Sequence, residues 1–230
     1  SDVEVGSFLS AGVDSTYIFK EADVDKSFTV WFNNEGFDEH GDAVEFAEME
    51  GKKHREREVT PEMFFEALDK VQYFSDEPHS NLSAVPLYYL SQMAAEDVKV
   101  VLSGEGADEL FGGYLDYIES PTEINYKKIP YFIRHIFGCI AFRFPNMRGR
   151  NFFVRCGMPL YESYIGQANI MTNEEANQML KPDFQRKERY QEICKPTLEK
   201  VKDKPEVIQR MFLDLHYFQP YEILLKADKM

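Results

Sequence analysis

The sequence predicts an α/β fold, a parallel twisted sheet with helices on both faces, followed by a helical annex. Three observations predict it. Strand-like and helix-like patterns alternate through the first half of the chain, which argues for βαβ units and a parallel sheet covered by helices. Small-residue polar loops follow the first and the last of those strands, where ligands of such sheets sit. From about Asn125 onward the strand signals fade while helical patterns continue. The expected division is therefore a sheet core over 1–120 and a helical part over 121–230.

Taken in order, residues 3–9 read as a short strand running into small polar residues, and 15–22 have room for a helix. Residues 27–32 read as a second strand, and 42–49 as a helix with apolar Ala43, Val44, Phe46, Ala47 and Met49. Residues 55–59 form a third, exposed strand. Thr60 can cap the next helix and Pro61 suits its first position, with Met63, Phe64, Ala67, Leu68 and Val71 on its apolar side. Residues 75–86 form a loop, 87–95 a helix, and 98–102 an apolar β-branched strand ending at Ser103-Gly104. Further on, 173–180, 184–201 and 205–218 read as helices, while Pro121 and the stretch 145–157 mark irregular connections.

Composition limits what these elements can do. A chain of 230 residues, 43% hydrophobic and 14% aromatic, buries one sizeable core and a helical annex. With 26 basic and 40 acidic residues its net charge is -14, which repels polyanions and argues against a nucleic-acid partner. The basic cluster Lys52, Lys53, Arg55 and Arg57 is interrupted by Glu56 and Glu58 and reads as a solvated face. Cys139, Cys156 and Cys194 form neither a C-x-x-C pair nor a metal-spaced set, and His40, His54, His135 and His216 lack metal spacing too. Trp31 with Phe28 and Phe32 reads as sheet core rather than as a stacking platform. No stretch spans a membrane, since 131–144 carries Arg134, His135 and Arg143, and a reducing cytoplasm fits the thiols.

Two loops carry chemistry. In Leu9-Ser10-Ala11-Gly12-Val13-Asp14-Ser15-Thr16, successive N–H groups at a helix start make an anion nest suited to a polyphosphate, and Ser10, Ser15 and Thr16 add hydroxyl donors. Asp14 would repel a bare phosphate, so it makes most sense if it holds a magnesium ion bridging phosphate oxygens; ordinary helix capping is an equal reading of the loop alone. In the second loop, residues 102–114, Gly104 and Gly106 let the backbone approach a ligand, while Glu105, Asp108 and Glu109 crowd three carboxylates together. An acidic helix start accounts for the carboxylates but not for Phe111-Gly112-Gly113-Tyr114. Neither loop fits G-x-x-x-x-G-K-[ST], and Gly104-Glu105-Gly106 lacks a third glycine at 109, which removes kinase and dehydrogenase readings.

Ser10-Ala11-Gly12-Val13-Asp14-Ser15 resembles the S-G-G-x-D-S pyrophosphate loop of the ATP pyrophosphatase (PP-loop) superfamily. Leu102 to Tyr114 resembles the L-S-G-E-G-x-D-E-x-F-G-G-Y signature of asparagine synthetases, and the closing 221–230 resembles part of that family's helical core. The resemblance implies an adenine nucleotide alpha hydrolase-like sheet and a carbon–nitrogen ligase that activates the aspartate side chain with ATP, releases pyrophosphate and amidates the acyl-adenylate with ammonia from glutamine. It implies ATP contacts at Leu9, Ser10, Ala11, Gly12, Val13, Asp14, Ser15, Val30, Ser103 and Gly104, a catalytic role for Glu105, and magnesium at Asp14 and Asp108. The partners it implies are small-molecule substrates and a glutaminase domain expected to lie outside this chain, and it is compatible with a homodimer.

The chain departs from the pattern at three places. Ala11 replaces the first loop glycine, which is harmless at negative φ and costly at positive φ. The chain begins Ser1-Asp2, without the terminal cysteine with which the family's glutaminase domain starts. It stops at Met230, ahead of the segment where the family keeps its catalytic lysine, so neither Lys226 nor Lys229 is expected to be that lysine, and the fragment alone is expected to be inactive. Residues 75–84 lie where relatives shape the amino-acid site, although a polar surface loop describes them as well, with no role for His79. A related ligase acting on another carboxylate, of β-lactam synthetase or peptide cyclase type, and a nucleotide-binding module without turnover remain the alternatives.

Overall fold

The computed structural model describes residues 2–33, 40–76, 81–144, 147–167, 171 and 173–230. The chain packs as two compact units, one made of Ser1–Ala107 with Pro220–Met230 and the other of Asp108–Gln219. The return of Pro220–Met230 to the first unit has no strand signal to announce it, and this division differs in that respect from a single boundary near 120.

The first unit is built on four parallel strands, β1 (Val5–Phe8), β2 (Lys26–Trp31), β3 (Lys53–Glu58) and β4 (Val100–Leu102), in the order β3-β2-β1-β4. Between them run α1 (Val13–Glu21), α2 (His40–Met49), α3 (Pro61–Phe74) and α4 (Ala84–Ala95). Side chains alternate across the sheet as strand geometry requires. On one face Val5, Leu9 and Leu102 meet Phe19, Val24, Ala43 and Ala47 of α1, α2 and their connections. On the other, Phe8, Phe28, Val30 and Val101 meet Leu90, Met93, Ala94 and Val98. Phe28 is fully buried there, and burying a side chain of that size stabilises by about 1.5–3 kcal/mol.

α3 is fixed at its start as the sequence suggests: Pro61 takes the first turn and the Thr60 hydroxyl accepts the Met63 N–H at 3.3 Å. It packs through Ala67 and Val71 onto Ala84 and Val85 of α4. Two arginines of the outer strand β3 and the lysine just before it are paired. Arg55 donates to Asp97 and Glu96, each at 2.8 Å, Arg57 to Gln92 at 2.9 Å, and Lys52 pairs with Asp23 at 3.2 Å. Such a charged edge discourages a further strand from adding to the sheet. Trp31 is not enclosed in the core but stacks on His40, ring centroids 4.4 Å apart.

Helices are the regular elements among the described residues of the second unit. α5 (Ala107–Phe111) leads into it, followed by α6 (Pro121–Tyr126), α7 (Tyr131–Arg143), α8 (Arg150–Gly157), α9 (Leu160–Ser163), α10 (Asn173–Met179), α11 (Tyr190–Glu199) and α12 (Glu206–His216). Tyr117, Tyr164, Cys194, Leu198 and Leu213 form its core. Inside that core the fully buried Asp214 accepts from the Tyr117 hydroxyl at 2.7 Å, from the Tyr164 hydroxyl, and from the Gln167 N–H at 2.9 Å. Burial pushes the Asp214 carboxyl up, and burial together with this carboxylate pushes both phenols far above their ordinary range, so the hydroxyls remain donors. A π-helical turn, Gln219–Leu224, then leads into α13 (Leu225–Lys229).

Several expected bounds shift for local reasons. α1 starts at Val13 because extended Gly12 already serves as its N-cap, and strand pairing is confined to 100–102 of the expected 98–102. Pro121 opens a helix instead of breaking the chain: Ser120 and Glu123 form a reciprocal capping box around it. Residues 150–157 of the supposed irregular stretch are α8, while 145 and 146 lie outside the described residues. The expected helix 184–201 is instead a 3-10 turn, Pro182–Phe184, an extended link and α11. No helix among the described residues is long and apolar enough to cross a membrane.

Candidate functional site

The strand order places the chain's change of direction between β1 and β4. From β1 the chain moves outward to β2 and β3, then returns to the opposite side of β1. In open parallel sheets the crevice at that point, beyond the carboxyl ends of the strands, is where ligands bind. The loops leaving β1 and β4 are residues 9–12 and 103–106, the two that sequence reading had singled out.

Hydroxyls brace the first loop. Ser10 and Ser15 Oγ atoms lie 2.9 Å apart; the Ser10 N–H donates to Ser15 Oγ at 3.1 Å, and the Gly12 N–H to Ser10 Oγ at 3.2 Å. Thr16 Oγ1 donates to the Gly12 and Val13 carbonyls at 3.0 Å each. Gly12 has no side chain to cap α1, so the helix presents its N-terminus uncapped by the N-cap residue, and Asp14 stands in the first turn. Among the described residues the only positive-φ positions other than glycine are Asp23 and Asp76, so Ala11 sits at negative φ and its Cβ costs nothing.

The second loop packs directly on the first. A Cβ added to Gly104 would lie 3.0 Å from the Ser15 nitrogen, 3.1 Å from Asp14 Cβ and 3.2 Å from the Asp14 carbonyl carbon. Gly104 is therefore needed for closeness, whereas Gly106, at φ 88°, is needed for its conformation. The Ser103 hydroxyl accepts the Glu105 N–H at 3.1 Å.

Val30 stands at the same rim. Leu9 donates its N–H to the Phe28 carbonyl at 3.0 Å, while Val59 donates to Trp31 at 2.9 Å, so even-numbered residues of β2 turn their backbone groups toward β1 and odd-numbered ones toward β3. β1 pairs with β2 only as far as Phe8↔Phe28, and the Val30 N–H and C=O thus point to a side where the strand has ended.

Lys226 enters this rim from α13. Its side chain is 4% exposed, and its Nζ donates to Glu105 Oε1 at 3.2 Å, to Glu105 Oε2 at 3.3 Å and to Ser83 Oγ at 3.0 Å. Sequence reading missed both Lys226 and Ser83. The residues joined are 121 and 143 positions apart, and no local spacing announces them.

Asp108 and Glu109 belong to the helical unit. A Cβ on Gly113 would fall 1.9 Å from Asp108 Oδ1, so of the two glycines that an acidic helix start leaves unexplained, Gly113 makes room for the Asp108 carboxylate and Gly112 takes a positive φ of 76°. Glu109 is 1% exposed; its Oε1 accepts from the Tyr114 hydroxyl at 2.6 Å and its Oε2 has no hydrogen-bond partner among the described residues. Burial, reinforced by that carboxylate, pushes the Tyr114 phenol far above its ordinary range. No cluster of three or more His, Cys, Asp or Glu able to hold a metal occurs among the described residues. Residues 77–80 of the loop expected near an amino-acid site, His79 included, lie outside the described residues.

A helix N-terminus without a side-chain cap, beside a Gly-rich loop at the sheet's switch point, is the arrangement in which open α/β sheets receive anionic ligands. The asparagine synthase family model matches residues 1–230, and the chain belongs to that family. Asparagine synthetase (glutamine-hydrolyzing) 1 of Bacillus subtilis is 35% identical over 235 residues, covering 100% of this chain and 37% of the relative. A putative asparagine synthetase (glutamine-hydrolyzing) of Mycobacterium tuberculosis is likewise 35% identical, covering 100% of this chain and 36% of the relative. The chain thus spans little more than a third of the length of these relatives. The solved structure of an NMN synthetase from Francisella tularensis covers 94% of this chain and 86% of its own at 14% identity and a TM-score of 0.38, a likeness too low to bear on the reading.

Proposed function

We propose that this chain is the ATP-using part of an asparagine synthetase, working in the cytoplasm on small molecules, in which the side-chain carboxylate of aspartate attacks the α-phosphate of ATP, pyrophosphate departs, and ammonia derived from glutamine displaces AMP to give asparagine. The observation that carries this reading is the seating of Gly104 on the Ser15 nitrogen and Asp14, which joins the family's two signature loops at the switch point.

The residues fit the nucleotide. Ser10 to Ser15 offer N–H and hydroxyl donors to the pyrophosphate part, Ser103 and Gly104 line its other side, and Leu9 closes the strand end. The backbone of Val30, open on the β1 side, supplies the donor and acceptor that the edge of adenine needs. Holding the leaving group and the attacking carboxylate in place before reaction is worth several powers of ten in rate. Glu105, at the mouth of the second loop, is the candidate catalytic residue, orienting the groups that form the acyl-adenylate.

Magnesium fits as an ion held by few protein ligands. It takes one or two carboxylates and completes its shell with phosphate oxygens and water, so Asp14 and Asp108 are the ligands proposed and no larger protein cluster is required. When bound it supplies charge neutralisation for the departing pyrophosphate.

The test is aspartate-dependent pyrophosphate release by the intact protein, together with calorimetry of ATP with magnesium for wild type and Asp108→Asn. Magnesium-dependent binding weakened at least about tenfold by the substitution, with pyrophosphate released only when aspartate is present, supports the reading. Folded protein that binds ATP but releases no pyrophosphate with aspartate sinks it.

A further inference from the structure

We infer that Lys226 is a positioning residue for Glu105, a fixed cationic support that holds this carboxylate in the crevice during carboxylate activation; the inference rests on the function proposed above.

An ammonium has three protons to give and no acceptor capacity. Lys226 places all three on Glu105 Oε1, Glu105 Oε2 and Ser83 Oγ, at 3.2, 3.3 and 3.0 Å. Nearly equal distances to both carboxylate oxygens put the cation on the bisector of the Glu105 carboxylate, so any swing of that side chain breaks at least one bond. The two partners differ in exposure: the lysine is 4% exposed and Glu105 35%. The buried group is therefore the fixed one, and the carboxylate it supports faces outward.

Two features show that local stability is not what the arrangement maximises. Ser83 is the N-cap residue of α4, where serine normally bonds a first-turn N–H. Its hydroxyl makes no such cap bond and serves Lys226 instead. Burying an ammonium also carries a desolvation cost, which an apolar side chain at the same place would not incur. The helix that carries the lysine is itself tied down on either side of the crevice wall, by Lys229 on Asp76 at 2.6 Å and by Met230 against Ala67, Val71, Ala84 and Val85.

The experiment compares wild type, Lys226→Met, Lys226→Arg, Glu105→Gln and the double variant Lys226→Met/Glu105→Gln in the intact protein, by aspartate-dependent pyrophosphate release and ATP titration. Lys226→Met is expected to lower kcat about 100-fold while KM for ATP moves less than about threefold, since the support acts on the reacting group and not on the nucleotide. Lys226→Arg is expected to recover at least about tenfold of that loss, and the double variant to be no worse than Glu105→Gln alone, because residues that act as one unit are not additive. A kcat within threefold of wild type for folded Lys226→Met, or losses that multiply in the double variant, overturns the inference. If Lys226→Met does not fold, Ser83→Ala decides: a several-fold drop in kcat at unchanged KM supports it, and an unchanged kcat overturns it. Absence of aspartate-dependent release in wild type would instead defeat the proposed function, and the support itself is then read from a double-mutant cycle of unfolding in denaturant: coupling of Lys226→Met with Glu105→Gln upholds it, and additivity overturns it.

Discussion

Replacing Gly104 by alanine tests the closeness of the two loops directly. The added Cβ would stand 3.0 Å from the Ser15 nitrogen and 3.2 Å from the Asp14 carbonyl carbon, where ordinary van der Waals contact begins at 3.4 Å. Both are backbone atoms of α1, so no side chain can rotate away, and the loops must part by a few tenths of an ångström. Overpacking of that kind costs about 1–3 kcal/mol, which lowers Tm by roughly 5–10 °C in a unit of this size. The parting also moves the Ser15 N–H away from the position of a phosphate oxygen. ATP affinity by calorimetry should therefore fall about tenfold or more at a temperature where the variant is still folded. Gly41→Ala in α2, outside the site, is the control, because a Cβ there would meet nothing within 4 Å. A Gly104→Ala protein with wild-type melting and wild-type ATP affinity would show that the loops are not in contact and that the crevice has been misread.

Other outcomes follow from the helical unit. Tyr114→Phe takes away the hydrogen bond that the 1%-exposed Glu109 accepts, and should cost about 1–3 kcal/mol in a denaturant titration, with exposed Tyr73→Phe neutral. Glu206→Gln bears on pH. Burial raises the Glu206 carboxyl, but hydrogen bonds from Lys127 and the 1%-exposed Arg210 outweigh it and leave the group below its ordinary value of 4.5. A lowered folded value means that the contribution is complete above about pH 4.5 and is lost as pH falls through the folded value. The variant should be less stable than wild type by about 1–3 kcal/mol at pH 7, with the gap narrowing as pH falls below about 4.5; a gap that does not narrow there would contradict the assignment.

The sheet was legible because its signals are local. Phe28 and Val30 alternate with Ser27 and Thr29, Pro61 follows a capping Thr60, and both small-residue loops adjoin the strands that end at the rim. The helical unit was less legible. Its links depend on caps such as Ser120 with Glu123, which turn an apparent break at Pro121 into a helix start, and on the run from Gln185 to Arg189, whose composition does not distinguish an extended link from a helix. In the site, the consequence of Ala11 followed from φ, which composition does not reveal. Lys226 was illegible in principle, since a lysine in an amphipathic helix reads as solvated until something far away in sequence proves to be its partner.

The sheet unit is interrupted: it consists of Ser1–Ala107 and Pro220–Met230, with the whole of Asp108–Gln219 between. A ribosome adding about 5–20 residues per second exposes both signature loops well before it makes Lys226. Through that interval Ser83 and Glu105 are present without the cation that later joins them. Closing so long a loop adds little entropic cost, since each doubling of length costs only about 0.6 kcal/mol, so the delay is one of synthesis and not of thermodynamics. The order of manufacture thus sets when the site is assembled: a chain abandoned before Pro220 carries both motif loops without Lys226, and only a chain extended past that lysine holds the carboxylate at the crevice.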